Sequence, residues 1–263
     1  MALSPRTISY GRHPSEVVHL WQPTVFGTDP LPVAVLLHGG WWRDRHDARL
    51  MDPLAADLAS TGWLVCNAEY RRTGDDGGGW PRSRDDVLRA IRSMRTLLDS
   101  GEVPVDFGAV VAIGHSAGGH LALLAALELP LAAVVALAPV TDLRRCAEAG
   151  LGEDAVPDFL GARPSRRLYH DSSPLHRLPI GRPQLVVHGD ADHRVPVEHS
   201  RDYVGAARAA GDPVDYHEVA GADHFAVIDP SHRAWRGVRD WLAAGHHPDR
   251  TFVAGRSGIE EEH

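Results

Sequence analysis

An α/β fold, with a mainly parallel sheet covered by helices on both faces, is predicted by three observations in this chain of 263 residues. Short apolar runs alternate with longer stretches whose apolar residues recur at three- and four-residue steps. Most of the runs are continuous rather than alternating, as strands buried on both faces require. Turn residues follow the runs, and helical stretches follow the turns.

In chain order, Val17-Val18-His19-Leu20-Trp21 alternates weakly and reads as an early edge strand. Val33-Ala34-Val35-Leu36-Leu37 is a continuous apolar run and hence a covered strand. Residues 49–60 carry helical spacing, with Leu50, Leu54 and Leu58 on one side, and residues 63–68 form the next strand. Pro81 opens a basic amphipathic helix in which Val87, Ile91, Met94 and Leu98 recur. Residues 109–113 form a strand, and an Ala/Leu-rich helix follows Ser116. Further strands are predicted at 133–137, 184–188 and 214–219, and helices at 198–210 and 232–243. Residues 141–183 break the rhythm and carry many Arg and Pro residues. They read as a lid or substrate-facing insertion in a single domain spanning 1–263. From about residue 246 the chain turns polar and is expected to be a mobile tail without a function.

Composition narrows the function. A net charge of −8 without a basic stripe argues against nucleic-acid and anionic-membrane partners. No apolar segment approaches spanning length and the first residues lack a leader's apolar region, so a cytoplasmic protein is expected. Two cysteines are too few for a disulfide framework, and Cys66 reads as a buried small hydrophobe. The 17 histidines, His246 and His247 among them, show no metal-ligand spacing, so neither a metal nor a cofactor is expected. Asp75-Asp76-Gly77-Gly78-Gly79 is too acidic for a phosphate loop and reads as a mobile surface loop.

Gly114-His115-Ser116-Ala117-Gly118 carries the chemistry. Strand before and helix after, with small residues on each side, lift a serine out of the sheet beside the free N–H groups of a helix start. A serine hydroxyl needs a base, and His224 lies in a loop that opens at the carboxyl edge of a parallel sheet, as the serine does. The acid that orients it is expected in His188-Gly189-Asp190-Ala191-Asp192. Asp192 is preferred and Asp190 stays open, the other serving backbone N–H groups of the turn. His38-Gly39-Gly40-Trp41-Trp42 follows a strand directly, and its glycines let the backbone curl. The N–H groups of Gly40, Trp41 and Ala117 are the expected oxyanion donors. Trp41, Trp42 and His115 are the expected substrate contacts. Arg144, Arg145, Arg166 and Arg167 in the insertion read as solvated charges, with a substrate carboxylate as the alternative partner.

The set HGGWW, GHSAGGH, HGDADHRVP and GADHF resembles the α/β-hydrolase superfamily over nearly the whole chain. Within it, the set is most similar to small bacterial esterases and to arylformamidases (kynurenine formamidases) with an HGG-x-W signature. The resemblance implies Ser116 as nucleophile, Asp192 as acid and His224 as base, in the chain order of that superfamily. It implies acyl transfer on a small ester or formamide substrate. An N-formylkynurenine-type formamidase leads and a carboxylesterase for short acyl esters is the alternative. An exopeptidase and a non-catalytic binding module on the same fold come behind. A homodimer stays open.

Overall fold

The computed structural model describes residues 4–24, 27–98 and 103–245. Eight strands form one sheet: β1 (Arg6–Ser9), β2 (Val17–Trp21), β3 (Leu31–Leu37), β4 (Leu64–Ala68), β5 (Val105–His115), β6 (Ala133–Leu137), β7 (Gln184–Gly189) and β8 (Val214–Val219). Their spatial order is β1-β2-β4-β3-β5-β6-β7-β8. Strands β1 and β2 are antiparallel to their neighbours, and β3 to β8 run parallel. This is the α/β-hydrolase fold.

Alternation along each strand divides the core in two. Val33, Val35 and Leu37 of β3 point to one face, where α2 (Arg82–Leu98), α3 (Ala117–Glu128) and α7 (Glu198–Ala209) pack through Val87, Leu121 and Tyr203. Ala34 and Leu36 point to the other, under α1 (Asp52–Ser60) and α8 (Arg233–Ala243), through Leu54, Leu58, Trp235 and Val238. Cys66 is fully buried on β4, and burial pushes its thiol up to about 12.

Two expectations change, and one segment gains detail. Val17–Trp21 is not the edge strand, because β1 pairs outside it, Arg6 opposite Leu20 and Ser9 opposite Val17. Residues 141–183 carry three short helices, α4 (Leu143–Glu148), α5 (Leu151–Leu160) and α6 (Arg166–Ser172). The acidic loop is pinned rather than loose: Asp76 accepts from Arg72 N at 2.8 Å, Arg72 Nε at 2.9 Å and Ser15 Oγ at 2.5 Å. The polar tail expected from about 246 lies outside the described residues, as do His246 and His247. No helix among the described residues is long and apolar enough to cross a membrane.

Candidate active site

The site forms where β3, β5 and β7 end. Strand β5 stops at His115, Ser116 stands at φ 55° and ψ −116°, and α3 begins at Ala117. That left-handed φ costs a non-glycine residue on the order of 1–3 kcal/mol and persists only where the surroundings impose it. Ser116 N donates to Leu137 O at 2.8 Å, tying the turn to β6. Gly118 admits no side chain, because a Cβ there would stand 2.1 Å from Leu37 O. The helix therefore starts in direct contact with the end of β3.

His224 and Asp192 meet from two other loops, with Nδ1 to Oδ2 at 2.6 Å. Asp192 also accepts from His188 Nε2 at 3.1 Å, Arg194 N at 2.8 Å and Val195 N at 3.0 Å. Burial alone would raise the Asp192 carboxyl. The bonds from His188 and His224 more than offset it and hold the group far below the usual carboxylate range. An ionised Asp192 can only accept, so the proton on His224 sits on Nδ1 and leaves Nε2 as a free base. His188 is fixed likewise: Nε2–H is shared between Asp192 and Val195 O at 3.0 Å, and Nδ1 accepts from Ser200 Oγ at 2.7 Å. Asp190, the other carboxylate, accepts from Gly221 N at 2.5 Å. Ser116 Oγ is buried and bonded to none of the described residues, His224 included. Both side chains line the same cleft.

The loop after β3 is strained by design of its sequence. Gly40, Trp41 and Trp42 take φ of 112°, 54° and 57°. Trp42 O accepts from Thr73 N at 2.7 Å and Thr73 Oγ1 at 3.1 Å, and Gly40 O from Arg43 N at 3.0 Å. Among the described residues, the N–H groups of Gly40, Trp41 and Ala117 serve no carbonyl in these turns. Behind the loop, His38 Nε2 donates to Glu69 Oε1 at 2.8 Å, and Tyr70 Oη donates to His38 O at 2.8 Å. Burial would raise the Glu69 carboxyl, but the adjacent His38 and Arg72 bring it below its ordinary range.

One cleft brings the buried Ser116 and His224 together with the exposed Arg194 and Phe225. Ser116, His224, Gly40 and Trp41 line it. Trp42, expected beside Trp41, is instead inside the core: it is fully buried and stacks on Phe159 with centroids 4.2 Å apart. His115 lines the cleft and is itself buried. Its Nε2–H donates to His224 O at 3.0 Å, and burial first, then His224, holds its imidazole neutral. Arg144, Arg145 and Arg167 pair with Glu148, Asp202 and Asp171, so these three charges of the insertion are spent on local acids. Sequence reasoning missed His188, His46, Arg45, Arg194 and Phe225. His188 carried a signal, since it lies four residues before Asp192 at the end of the same strand. Among the described residues, no group of three or more His, Cys, Asp or Glu is placed to hold a metal.

Residues 19–206 match the BD-FAE family model. Esterase LipC of Mycobacterium tuberculosis is 31% identical over 249 residues, covering 85% of this chain and 60% of that protein. The probable carboxylic ester hydrolase LipM of the same organism is 28% identical over 250 residues, covering 86% of this chain and 57% of that protein. The chain thus spans less than two thirds of the length of either relative. The acetyl ester-xyloside bifunctional hydrolase of Caldicellulosiruptor lactoaceticus superposes with a TM-score of 0.75 at 22% identity, covering 93% of this chain and 97% of that one.

Proposed function

Since this chain belongs to the BD-FAE family of α/β-hydrolases, we propose that it is a serine carboxylic ester hydrolase acting on short acyl esters. One observation carries the reading: Asp192 Oδ2 holds His224 Nδ1 at 2.6 Å, and His224 lines the same cleft as Ser116 at the strand–helix turn. His224 Nε2 takes the proton of Ser116 Oγ as the oxygen attacks the ester carbonyl. Their bond forms when substrate enters, as catalytic bonds in unliganded sites commonly do. The N–H groups of Ala117, Gly40 and Trp41 receive the oxyanion, each worth on the order of 3 kcal/mol in the transition state. The histidinium then protonates the leaving alcohol, and water activated by the same nitrogen releases the acyl-enzyme. No step calls for a cofactor.

The relatives bear the names of ester hydrolases. They favour the carboxylesterase, the second reading of the sequence, over the formamidase. Comparing kcat/KM for 4-nitrophenyl acetate and butyrate with kcat/KM for N-formylkynurenine tests this directly. The esters are expected to be the better substrates; a higher value for N-formylkynurenine reverses the assignment.

A further inference from the structure

We propose that Arg194 forms an anion subsite at the mouth of the cleft, so that the preferred esters carry a carboxylate on their outward-projecting part. The inference rests on the esterase reading for the reaction and on the surroundings of Arg194 for the charge. Arg45, His46 and Arg194 line the cleft together with Ser116, and no Asp or Glu does. Asp192, the nearest acid of the machinery, is buried with four hydrogen bonds already made.

The two arginines differ. Arg45 is met by Glu153 at 3.2 Å, a carboxylate it shares with Arg43. Among the described residues, the guanidinium of Arg194 has no ion-pair partner and no hydrogen-bond acceptor. It lies over the Phe225 ring, 5.0 Å from the centroid. Such stacking fixes the guanidinium plane and leaves its N–H edge open to a planar acceptor. Nor is Arg194 loosely tethered. Its backbone N–H donates to Asp192 Oδ1 at 2.8 Å, so the turn that holds the acid also sets where this cation stands. Its charge is felt across the cleft. The imidazole of His46 is lowered by burial first, then by Arg45, with Arg194 adding to the effect.

The chain as a whole carries −8, so an unpaired cation beside the serine is a local exception to a surface that repels anions. Ser116 and His224 are buried whereas Phe225 and Arg194 are exposed, so the charge stands at the mouth, where the outward-projecting leaving group of an ester lies. A carboxylate there meets the guanidinium in the paired geometry that arginine favours.

The test uses 4-acetoxybenzoate and its methyl ester, which share the acetyl group and the ring but differ by one charge. The ratio of their kcat/KM values cancels losses common to both substrates. Arg194→Gln is expected to lower that ratio about tenfold, and Arg194→Glu to lower it further. A ratio within about twofold of the wild type in both variants overturns the subsite. Benzoate binding to the full chain, followed by calorimetry, reads the same contact without turnover. Its Kd is expected to weaken about tenfold in Arg194→Glu, and an unchanged Kd, or no binding by the wild type, overturns the subsite. Hydrolysis of both esters with an unmoved ratio defeats the subsite and leaves the esterase reading standing. Arg194-dependent benzoate binding in a protein that cleaves neither ester does the reverse.

Discussion

The two carboxylates Asp190 and Asp192, two residues apart, do different work because of which hydrogens face them. Asp192 gathers His188, His224 and two backbone N–H groups, whereas Asp190 accepts from Gly221 N. Asp192→Asn replaces an acceptor by a donor opposite His224 Nδ1 and favours the wrong tautomer, so kcat is expected to fall by about 10⁴. Asp190→Asn is expected to cost less than about tenfold, since it disturbs one turn bond. Steady-state kinetics on both variants checks this, and equal losses would contradict the division of labour. The sequence favoured Asp192 with Asp190 as the alternative, and the fold brings Asp192 to His224. Trp41 and Trp42 show the opposite limit. Adjacent aromatics at φ 54° and 57° look alike in sequence, and the backbone alone sends Trp42 into the core against Phe159.

Among the elements, legibility followed burial. Strand β6 stands at its predicted residues because it is apolar and buried from end to end, and β8, buried only at Val214 and Val219, is the exception that was readable without burial. Strand β1 carried no signal. Its four residues, Arg6–Ser9, are largely exposed and lack apolar alternation, and pairing with β2 alone makes them a strand. The insertion was legible as a break but not as helices. In α5 the residues Gly152, Glu153 and Asp154 take left-handed φ, and Arg43 holds the segment through Glu153 at 3.0 Å and Asp158 at 3.1 Å. The junction of β3 and α3 is the least tolerant contact near the site. Gly118→Ala would press a methyl into Leu37 O, and stability is expected to drop by about 1–3 kcal/mol. Denaturant titration measures this; a midpoint equal to the wild type would contradict the close approach.

Across the molecule, buried imidazoles tie stability to pH. Burial, the dominant cause in both, lowers His120 and His199 to about 4. An unfolded histidine binds its proton near pH 6.5, so between about 6.5 and 4 the unfolded state holds more protons than the folded state. Stability is therefore full above that window and falls as pH drops through it, by about 2 kcal/mol per group at pH 4.5. Asp192 contributes stability that is full above the ordinary carboxylate range and is lost progressively as pH falls through that range towards its depressed value. Thermal melts from pH 7.5 to 4.5 are expected to show a falling Tm, with a shallower fall in His199→Asn; a flat Tm would contradict it. The strand–turn–helix order made both the fold and the turn at Ser116 readable, because glycine, serine and apolar runs encode backbone geometry locally. The rim of Arg45, Arg194 and Phe225 was not readable, since it assembles from three distant loops. The claim beneath all of this is that Ser116 is a nucleophile activated by His224. Treating the protein with a fluorophosphonate and mapping the adduct by mass spectrometry tests it most directly. One adduct per chain on the Ser116 peptide, strongly slowed in His224→Ala, is the expected result; no adduct, or one on another residue, would contradict the claim.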